Sequence, residues 1–279
     1  MVSFQRTASW LNFLSNRLGR FATSKYLPRS GFLRTRHRFS KRWLTCLASA
    51  VCLAVMLTAC TTSQRLNVLV PDGTSPLVVM DFRTPLALDP LPDGWRHRTF
   101  FRTEPMQISF VPKDGRPSIR LATHRSASML YRFTEIPLSQ YPLLSWDWFV
   151  EQPIESEIDE TTKAGDDHPA RLYLSFRSAA GETYAMEIIW GNRKLRAGDW
   201  KYLESFWSSN RFPHYVARGG NENTRRWHDE RVDLRELYRK NWGDPAGASL
   251  QEVALFCDTD ATGAQSTAYF SMVRVERAP

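Results

Sequence analysis

The stretch Leu143-Leu-Ser-Trp-Asp-Trp-Phe-Val150 alternates large apolar side chains with smaller or charged ones. Successive side chains of a β-strand point to opposite faces, so Trp146 and Trp148 share one face of an extended segment. The same two-residue alternation recurs at 170–177 and at 184–190. This pattern predicts strands that each bury one apolar face against a core.

Short runs of the same kind continue through the chain and are separated by Pro, Gly and Asp. The one clear helical stretch runs from Val232 to Trp242 and is followed by Gly243, a residue typical of helix C-termini. About nine strands and a single short helix predict an all-β fold, a β-sandwich of the jelly-roll type. The pattern leaves 191–226 without an assignment. Strands are expected at 77–82, 106–111, 118–123, 127–134, 143–150, 170–177, 184–190, 252–257 and 267–276.

The faces opposite the predicted core carry Asp147, Arg171, Tyr173, Arg177 and Glu187. If their strands are neighbours in one sheet, these side chains form a patch of carboxylates, guanidiniums and an aromatic ring. Sugar-binding sandwiches use such a patch, because planar rings stack on pyranose rings while charged groups bond to hydroxyls. The alternative is a solvated sheet with cross-strand ion pairs worth roughly 0.2–1 kcal/mol each.

Two acidic loops supply further ligand-binding candidates, Asp166 and Asp167 in one and Asp258 and Asp260 in the other. Asp-x-Asp followed by Gly263 is similar to the start of a calcium loop, but no bidentate Glu follows at the expected spacing. Turns capped by Asp side chains explain the same letters without an ion. No cofactor is therefore expected, with Ca²⁺ at Asp258 and Asp260 as the alternative.

The net charge of +8 comes from the first part of the chain. Residues 1–59 hold ten Lys and Arg and no acidic residue, which leaves 27 basic against 29 acidic residues from Cys60 onward. A nucleic-acid-binding domain is expected to carry its own basic surface. The nearly neutral body therefore argues against a nucleic-acid partner.

Lys41 and Arg42 precede an uncharged run, Trp43 to Ala59, that ends at Leu57-Thr-Ala-Cys60. A basic segment, a short apolar segment and small residues at the cut predict a cleaved secretory signal peptide. Leu-Thr-Ala-Cys resembles the lipobox of bacterial lipoproteins, which implies cleavage before Cys60 and its modification with palmitate-type acyl chains. An uncleaved anchor is the alternative, because a run of about 17 residues is at the lower limit for a spanning helix.

This reading divides the chain into three parts. Residues 1–59 are the leader and signal peptide, of which 1–40 are interpreted as an over-extended gene start, with a cytoplasmic tail as the alternative. Residues 60–76 are a lipidated tether and 77–279 are the β-sandwich domain. Thr61, rather than Asp, follows the lipidated residue and favours the outer membrane. The expected location is the periplasmic side of a bacterial envelope, with the lipid as the membrane contact.

Enzyme motifs are missing from the sequence. It contains no Gly-x-Ser-x-Gly, Walker loop, His-Glu-x-x-His or Cys-x-x-Cys, so no catalytic residue is assigned. The alternative is a glycosidase carboxylate pair, formed by Asp166 or Asp167 together with Asp258 or Glu187. Cys257 lies in an apolar strand and is expected to be a buried small hydrophobe.

Several blocks of the body resemble the bacterial domain-of-unknown-function 3047 family, over roughly 77–276. The resemblance implies envelope proteins with a galactose-binding-like jelly roll, and it marks Asp166, Asp167, Arg171, Asp258 and Asp260 as polar landmarks. Met129 and His168 depart from the pattern, where a Gly and an aromatic residue are expected. The blocks are Ser126-Ala-Ser-Met-Leu-Tyr-Arg132, Tyr141-Pro-Leu-Leu-Ser-Trp-Asp-Trp148, Asp166-Asp-His-Pro-Ala-Arg-Leu-Tyr173, Ile189-Trp-Gly-Asn192, Val232-Asp-Leu234 through Trp242-Gly243, and Cys257-Asp-Thr-Asp-Ala-Thr-Gly263 leading to Ala268-Tyr-Phe270.

Three functions fit these observations. The leading hypothesis is non-catalytic binding of a carbohydrate or another envelope ligand by a lipid-anchored protein. The second is a glycan-acting hydrolase or lyase that uses Asp and Arg groups, which requires carboxylates to converge in one cleft. The third is a structural or protein-interaction component of the envelope.

Overall fold

The computed structural model describes residues 67–204 and 211–279, and in it the predicted apolar faces meet between two β-sheets. Trp146 and Trp148 are fully buried. The ring of Trp148 lies 5.3 Å from that of Trp146 and 5.6 Å from that of Trp190, which belongs to the opposite sheet. The all-β sandwich predicted from the alternation is confirmed.

The described residues form thirteen strands and one α-helix. They are β1 (Leu77–Asp81), β2 (Trp95–Thr99), β3 (Gln107–Phe110), β4 (Ile119–His124), β5 (Ala127–Pro137), β6 (Leu143–Gln152), β7 (Arg171–Arg177), β8 (Thr183–Gly191), β9 (Trp200–Glu204), β10 (Arg211–Gly219), β11 (His228–Asp233), α1 (Leu234–Trp242), β12 (Ser249–Asp258) and β13 (Gln265–Glu276).

The two sheets differ in size and in their pairing. In the described part of the chain the six-stranded sheet runs β11-β6-β13-β4-β3, with β1 beside the second half of β13. The seven-stranded sheet runs β2-β5-β12-β7-β8-β10-β9. Its pairings are antiparallel except between β8 and β10, which are parallel.

Helix α1 begins directly after β11 and packs against the end of β7. The carboxylate of Asp233 caps the helix by accepting a hydrogen bond of 2.8 Å from the backbone N–H of Arg235. The ring of Tyr238 is buried and lies 5.8 Å from the ring of Phe176. The chain leaves the helix at Gly243, whose φ of 91° falls in the region that favours glycine.

Four observed strands are not predicted by the pattern: β2, β9, β10 and β11. Strand β2 is an edge strand with the sequence Trp-Arg-His-Arg-Thr, so it lacks an apolar period. Strands β9 and β10 lie within 191–226, and Pro213 inside β10 argues against a paired strand on sequence grounds. Tertiary pairing on both sides of β10 overrides that local signal.

The leader, the signal peptide and Cys60 lie outside the described residues. Within the predicted tether, Leu69 lies along β5: its N–H donates to the carbonyl of Phe133 at 3.0 Å, and its carbonyl accepts from Glu135 at 2.9 Å. The ordered contacts of the domain thus begin inside that segment. No helix within residues 67–204 and 211–279 has the length and apolar composition of a bilayer span.

Cys257 is a free cysteine with no exposed surface. Its Sγ lies 3.1 Å from Oγ1 of Thr123. Burial raises the pKa of the Cys257 thiol to about 12, so the thiolate is not formed at neutral pH. The expectation of a buried small hydrophobe is confirmed.

Candidate functional site

The seven-stranded sheet has an outer face, the side directed away from the other sheet, and one row of residues crosses it. Every strand contributes one residue, and neighbours in the row are directly paired in the strand register. The row starts at an exposed arginine and ends at a buried lysine. Its members are Arg96, Tyr131, Ala254, Tyr173, Glu187, His214 and Lys201.

Arg171 lies beside this row, and its side chain is only 2% exposed. Its guanidinium donates to Oε2 of Glu187 at 2.6 Å and to the backbone carbonyl of Asp166, and it forms an ion pair of 2.8 Å with Oδ2 of Asp258. Burial alone would lower the pKa of Arg171, but the charges of Asp258, Asp166 and Glu187 raise it well above the usual value. One guanidinium therefore joins β7, β8 and β12 and remains charged.

Lys201 is a second buried cation at this end of the row. Its Nζ lies 2.8 Å from the carbonyl oxygen of Glu160 and 2.9 Å from Nε2 of His168, and it also donates to the carboxylate of Asp166. Nδ1 of His168 lies 2.9 Å from the carbonyl of Trp190. Burial lowers the pKa of His168 well below its usual value, so the neutral ring donates at Nδ1 and accepts at Nε2.

His214 completes what we call the buried ionic cluster. Its Nε2 lies 3.3 Å from Oε2 of Glu187 and 3.7 Å from Oδ1 of Asp166. Three carboxyl groups thus face Arg171 and Lys201. Burial lowers the pKa of Lys201 and raises the pKa of Asp258 well above its usual value. The cluster comprises Asp166, His168, Arg171, Glu187, Lys201, His214 and Asp258.

A covering segment, residues 153–169, closes over this cluster. The carboxylate of Glu160 accepts backbone N–H bonds from four consecutive residues, 192–195, a concave arrangement that binds anions. The turn that supplies these donors packs against Gly191 and Gly219, which are paired between β8 and β10. A Cβ atom would lie 2.5 Å from the carbonyl oxygen of Leu195 at Gly191 and 2.4 Å from it at Gly219. The two glycines therefore permit the contact that anchors the segment.

Asp167, Asp258 and Asp260 are the residues in the described ranges that could hold a metal ion, with one carboxylate oxygen of each within 4.8 Å of the others. Asp167 already accepts bonds from Ala261 and Thr262, and Asp258 is bonded to Arg171. Calcium takes six to eight oxygen ligands, more than these three carboxylates supply. A calcium site at Asp258 and Asp260 stays a prediction.

The other end of the row is accessible to solvent. Arg98 and Arg96 are exposed, and their guanidiniums lie 4.8 Å and 5.2 Å from the ring centroids of Tyr131 and Phe133. On the same face, with β5 and β12 between it and β2, half-buried Tyr173 packs at 6.3 Å against the ring of Phe212.

Glu252 adds a carboxyl group to the accessible end. It is half-buried, and burial raises its pKa even though Arg98 and Arg96 act in the opposite direction. Burial also raises the pKa of Tyr173. Within the described residues, no hydrogen bond engages the Glu252 carboxyl or the Tyr173 hydroxyl, which leaves both groups available to a ligand.

The structure brings together seven of the eight predicted ligand-binding residues and separates one. Asp147 belongs to the six-stranded sheet, so the idea that β6, β7 and β8 form one polar face is wrong. Asp147 lies opposite Asp229 on β11, and Arg274 is 3.6 Å away. The residues at the seven-stranded sheet are Asp166, Asp167, Arg171, Tyr173, Glu187, Asp258 and Asp260.

Sequence reasoning missed the residues on strands it did not assign, among them Arg96, Arg98, Lys201 and His214. In β10, the alternation of Phe212, His214 and Val216 was the available signal, although Pro213 interrupts it. Glu252 falls on a predicted strand and could have been found by following its outer face.

The convergence of carboxylates that a hydrolase requires is present, but the residues that the structure describes form no open cleft at these carboxylates. Glu187 and Asp258 have side chains that are 6% and 11% exposed, and both are bonded to Arg171. Asp166 is 22% exposed and is bonded to Lys201. The described structure therefore uses these groups to hold its own segments together.

Replacing Arg171 with Met should destabilise the domain severely. The change leaves Glu187 and Asp258 buried without their cation, which typically costs about 3–5 kcal/mol of the free energy of unfolding. Denaturant unfolding measures it, with the exposed Arg239→Met as the matched control, expected within about 0.5 kcal/mol of wild type. If Arg171→Met does not fold, Arg171→Lys should fold with reduced stability; a loss below about 1 kcal/mol in Arg171→Met would contradict the structural role.

Replacing Asp147 with Asn should stabilise the domain at neutral pH. Burial, together with the neighbouring Asp229, raises the pKa of Asp147 to about 6. A carboxyl whose pKa is raised on folding favours the folded state below its unfolded pKa, about 3.9, and loses that contribution as the pH rises through 6. Asp147→Asn should therefore raise the free energy of unfolding by on the order of 1–2 kcal/mol at pH 7 and leave it unchanged near pH 4. An equal effect at both pH values would contradict it.

The described β-sandwich can be compared with solved structures. The chain is similar to the family 30 carbohydrate-binding module of a cellulosomal cellulase of Clostridium thermocellum, with 15% identity, 66% of this chain and 87% of that chain covered, and a TM-score of 0.33. It is similar to an endoglucanase, Cel12A, from Rhodothermus marinus, with 12% identity, 66% and 93% covered, and a TM-score of 0.40. Identities and TM-scores this low carry no argument about ligand or activity.

A third similar structure is the xyloglucanase domain of NopAA, an effector from Sinorhizobium fredii, with 13% identity, 66% of this chain and 93% of that chain covered, and a TM-score of 0.37. No curated protein matches the sequence. The model of the family described as "Protein of unknown function (DUF3047)" matches residues 93–274, which span β2 to β12, the buried ionic cluster and most of β13. The chain therefore belongs to the DUF3047 family.

Proposed function

We propose that this protein binds a carbohydrate, without catalysis, at the accessible end of the outer face of the seven-stranded sheet. One observation carries the proposal: Tyr173, Phe212, Arg98 and Glu252 lie together on one face, half-buried or exposed. Rings and charged groups in this combination recognise sugars, because pyranose faces stack on aromatic rings and hydroxyls bond to charged groups.

The two ends of the row have different tasks in this proposal. The buried ionic cluster joins β7, β8, β9, β10 and β12 to the covering segment and keeps the sheet rigid. At the accessible end, strand pairing holds Tyr173 opposite Ala254, and Glu252 lies two residues before Ala254 on the same face of β12. Binding groups held by a rigid sheet lose little conformational freedom when a ligand binds, which favours affinity.

A glycan-acting hydrolase is the second candidate, since Asp166, Glu187 and Asp258 do converge. The burial of these carboxylates makes the hydrolase the weaker candidate, because a general acid or base must reach the substrate. We further propose the cell-envelope setting, with the chain cut before Cys60 and anchored by lipid on the periplasmic side. Support for that setting is the Lys41-Arg42, apolar run and Leu57-Thr-Ala-Cys60 pattern.

Tyr173→Ala should abolish most glycan binding by the purified chain. Loss of one stacking ring is expected to weaken affinity about tenfold or more, since contacts of an aromatic residue at the centre of a site often exceed 1.4 kcal/mol. Isothermal titration against soluble envelope and plant glycans measures the affinity, and assay of released reducing ends tests the hydrolase. Ca²⁺ is included and omitted in parallel, which tests Asp258 and Asp260 as a metal site.

Two further variants locate the binding face. Tyr173→Phe keeps the ring and should retain stacking, while Tyr202→Ala removes an exposed ring on the opposite side of β9 and should leave affinity unchanged. Loss of binding in Tyr202→Ala alone would place the ligand elsewhere and refute the proposal. Release of reducing ends by wild type would establish the hydrolase instead.

Cys60→Ser should abolish incorporation of labelled fatty acid and release the protein into the soluble periplasm. The thiol is the acyl acceptor in the proposed processing, and several acyl chains are needed for stable anchoring. Metabolic labelling and fractionation measure both effects, with Cys52→Ser as the control that should stay membrane-bound. A Cys60→Ser chain that remained in the membrane would point to an uncleaved anchor.

A further inference from the structure

We infer that the carbohydrate bound at this face is acidic, a saccharide that carries carboxylate groups such as a uronic acid; this inference rests on the proposed function. It concerns Arg96 and Arg98, two exposed arginines on the edge strand β2. Their strand partners on β5, Tyr131 and Met129, place both on the outer face beside the proposed site.

Within the described residues, the charge of Glu252 acts on both arginines, but its carboxyl group forms no ion pair with either. In residues 67–204 and 211–279, no carboxylate forms an ion pair with Arg96 or Arg98, as is also the case for exposed Arg177 and Arg239, whereas Arg116 and Arg231 pair with Asp229 and Glu276. The two guanidiniums lie against the rings of Phe133 and Tyr131 instead.

Stacking on a ring leaves the N–H edge of a guanidinium free. A guanidinium presents its donors in the plane of the group, and that plane matches the two oxygens of a carboxylate. The rings beneath Arg96 and Arg98 restrict the motion of the side chains, so less conformational entropy is lost when a carboxylate binds. The pair is thus arranged as an anion-binding edge on the face that carries Tyr173, and the charge of Arg98 acts on the Tyr173 hydroxyl.

The remaining carboxyl group at the accessible end does not offset this charge. Glu252 is one acidic group against two arginines, and it is set back by its half-buried position on the central strand β12. Glu187, the acidic member of the row, is committed to Arg171. The accessible end therefore carries net positive charge although the chain from Cys60 onward is slightly acidic.

The accessible end offers a sugar ligand two kinds of contact. A pyranose ring would stack on Tyr173 with hydroxyls near Glu252, and a carboxylate on the same or the next residue would meet Arg98 or Arg96. A neutral sugar could use the first contact and would leave the second without a partner. The site should therefore prefer an acidic saccharide to its neutral counterpart.

The test compares each acidic polymer with its own uncharged ester. Polygalacturonate and alginate are titrated into the purified chain beside their carboxyl-esterified forms, which keep the backbone and remove the charge. A charge-assisted hydrogen bond is worth enough for a preference of about tenfold or more for the acids. That preference should shrink at raised ionic strength, because salt screens exposed charges.

The variant Arg96→Gln Arg98→Gln should weaken binding of the acids more than binding of the esters and thereby abolish the preference. Arg239→Gln, an exposed arginine on α1, is the matched control and should retain the preference. Circular dichroism of the double variant checks that the fold is kept, and Arg98→Gln alone replaces it if the fold is lost.

The outcomes separate the two proposals. Esters that bind as tightly as the acids would overturn the acidic-ligand inference and leave carbohydrate binding standing. Failure of wild type to bind any polymer, acid, ester or neutral glycan, would overturn carbohydrate binding itself. Binding to phosphatidylglycerol vesicles that requires Arg96 and Arg98, without a preference among polymers, would show that these arginines contact lipid and would refute the inference.

Discussion

The buried guanidinium of Arg171 lies between Glu187 and Asp258, and the arrangement of the outer face depends on these two contacts. It joins three adjacent strands through Glu187 and Asp258 and reaches the covering segment through the carbonyl of Asp166. A buried charge needs well-placed partners, and the terminal nitrogens of Arg171 have them, whereas its Nε has no hydrogen-bond partner in the described structure. The neighbouring strands must therefore keep their register, and this requirement fixes the outer face on which the proposed ligand would lie.

The charged groups of the outer face form two sets, one buried and one exposed. At one end, cations and carboxylates satisfy each other beneath residues 153–169, and four N–H groups of 192–195 hold Glu160. At the other end, Arg96 and Arg98 have aromatic rings but no carboxylate partner within the described residues. Ionic groups that are fully paired contribute rigidity, whereas unpaired exposed groups are available for recognition.

The alternation of single strands could be read correctly from the sequence, but their neighbours could not. Trp146, Leu172 and Ile188 are buried as the two-residue period predicts. Asp147 was grouped with Arg171 because both occupy the polar side of their strands, yet β6 and β7 belong to different sheets. Strand pairing depends on contacts between segments far apart in the chain, and a local pattern carries no record of them.

The apolar face of each central strand, the single helix, the burial of Cys257 and the family membership could all be read from the order of residues in the chain. Those features follow from period, turn residues and motif order, all of which are local. The burial of Arg171 between Glu187 and Asp258, and the presence of Arg96 and Arg98 on the same sheet face as Tyr173, follow from the tertiary structure. The physical reason is that hydrogen bonding across seven strands sets these distances, and solvent exclusion by the covering segment sets which charges stay free.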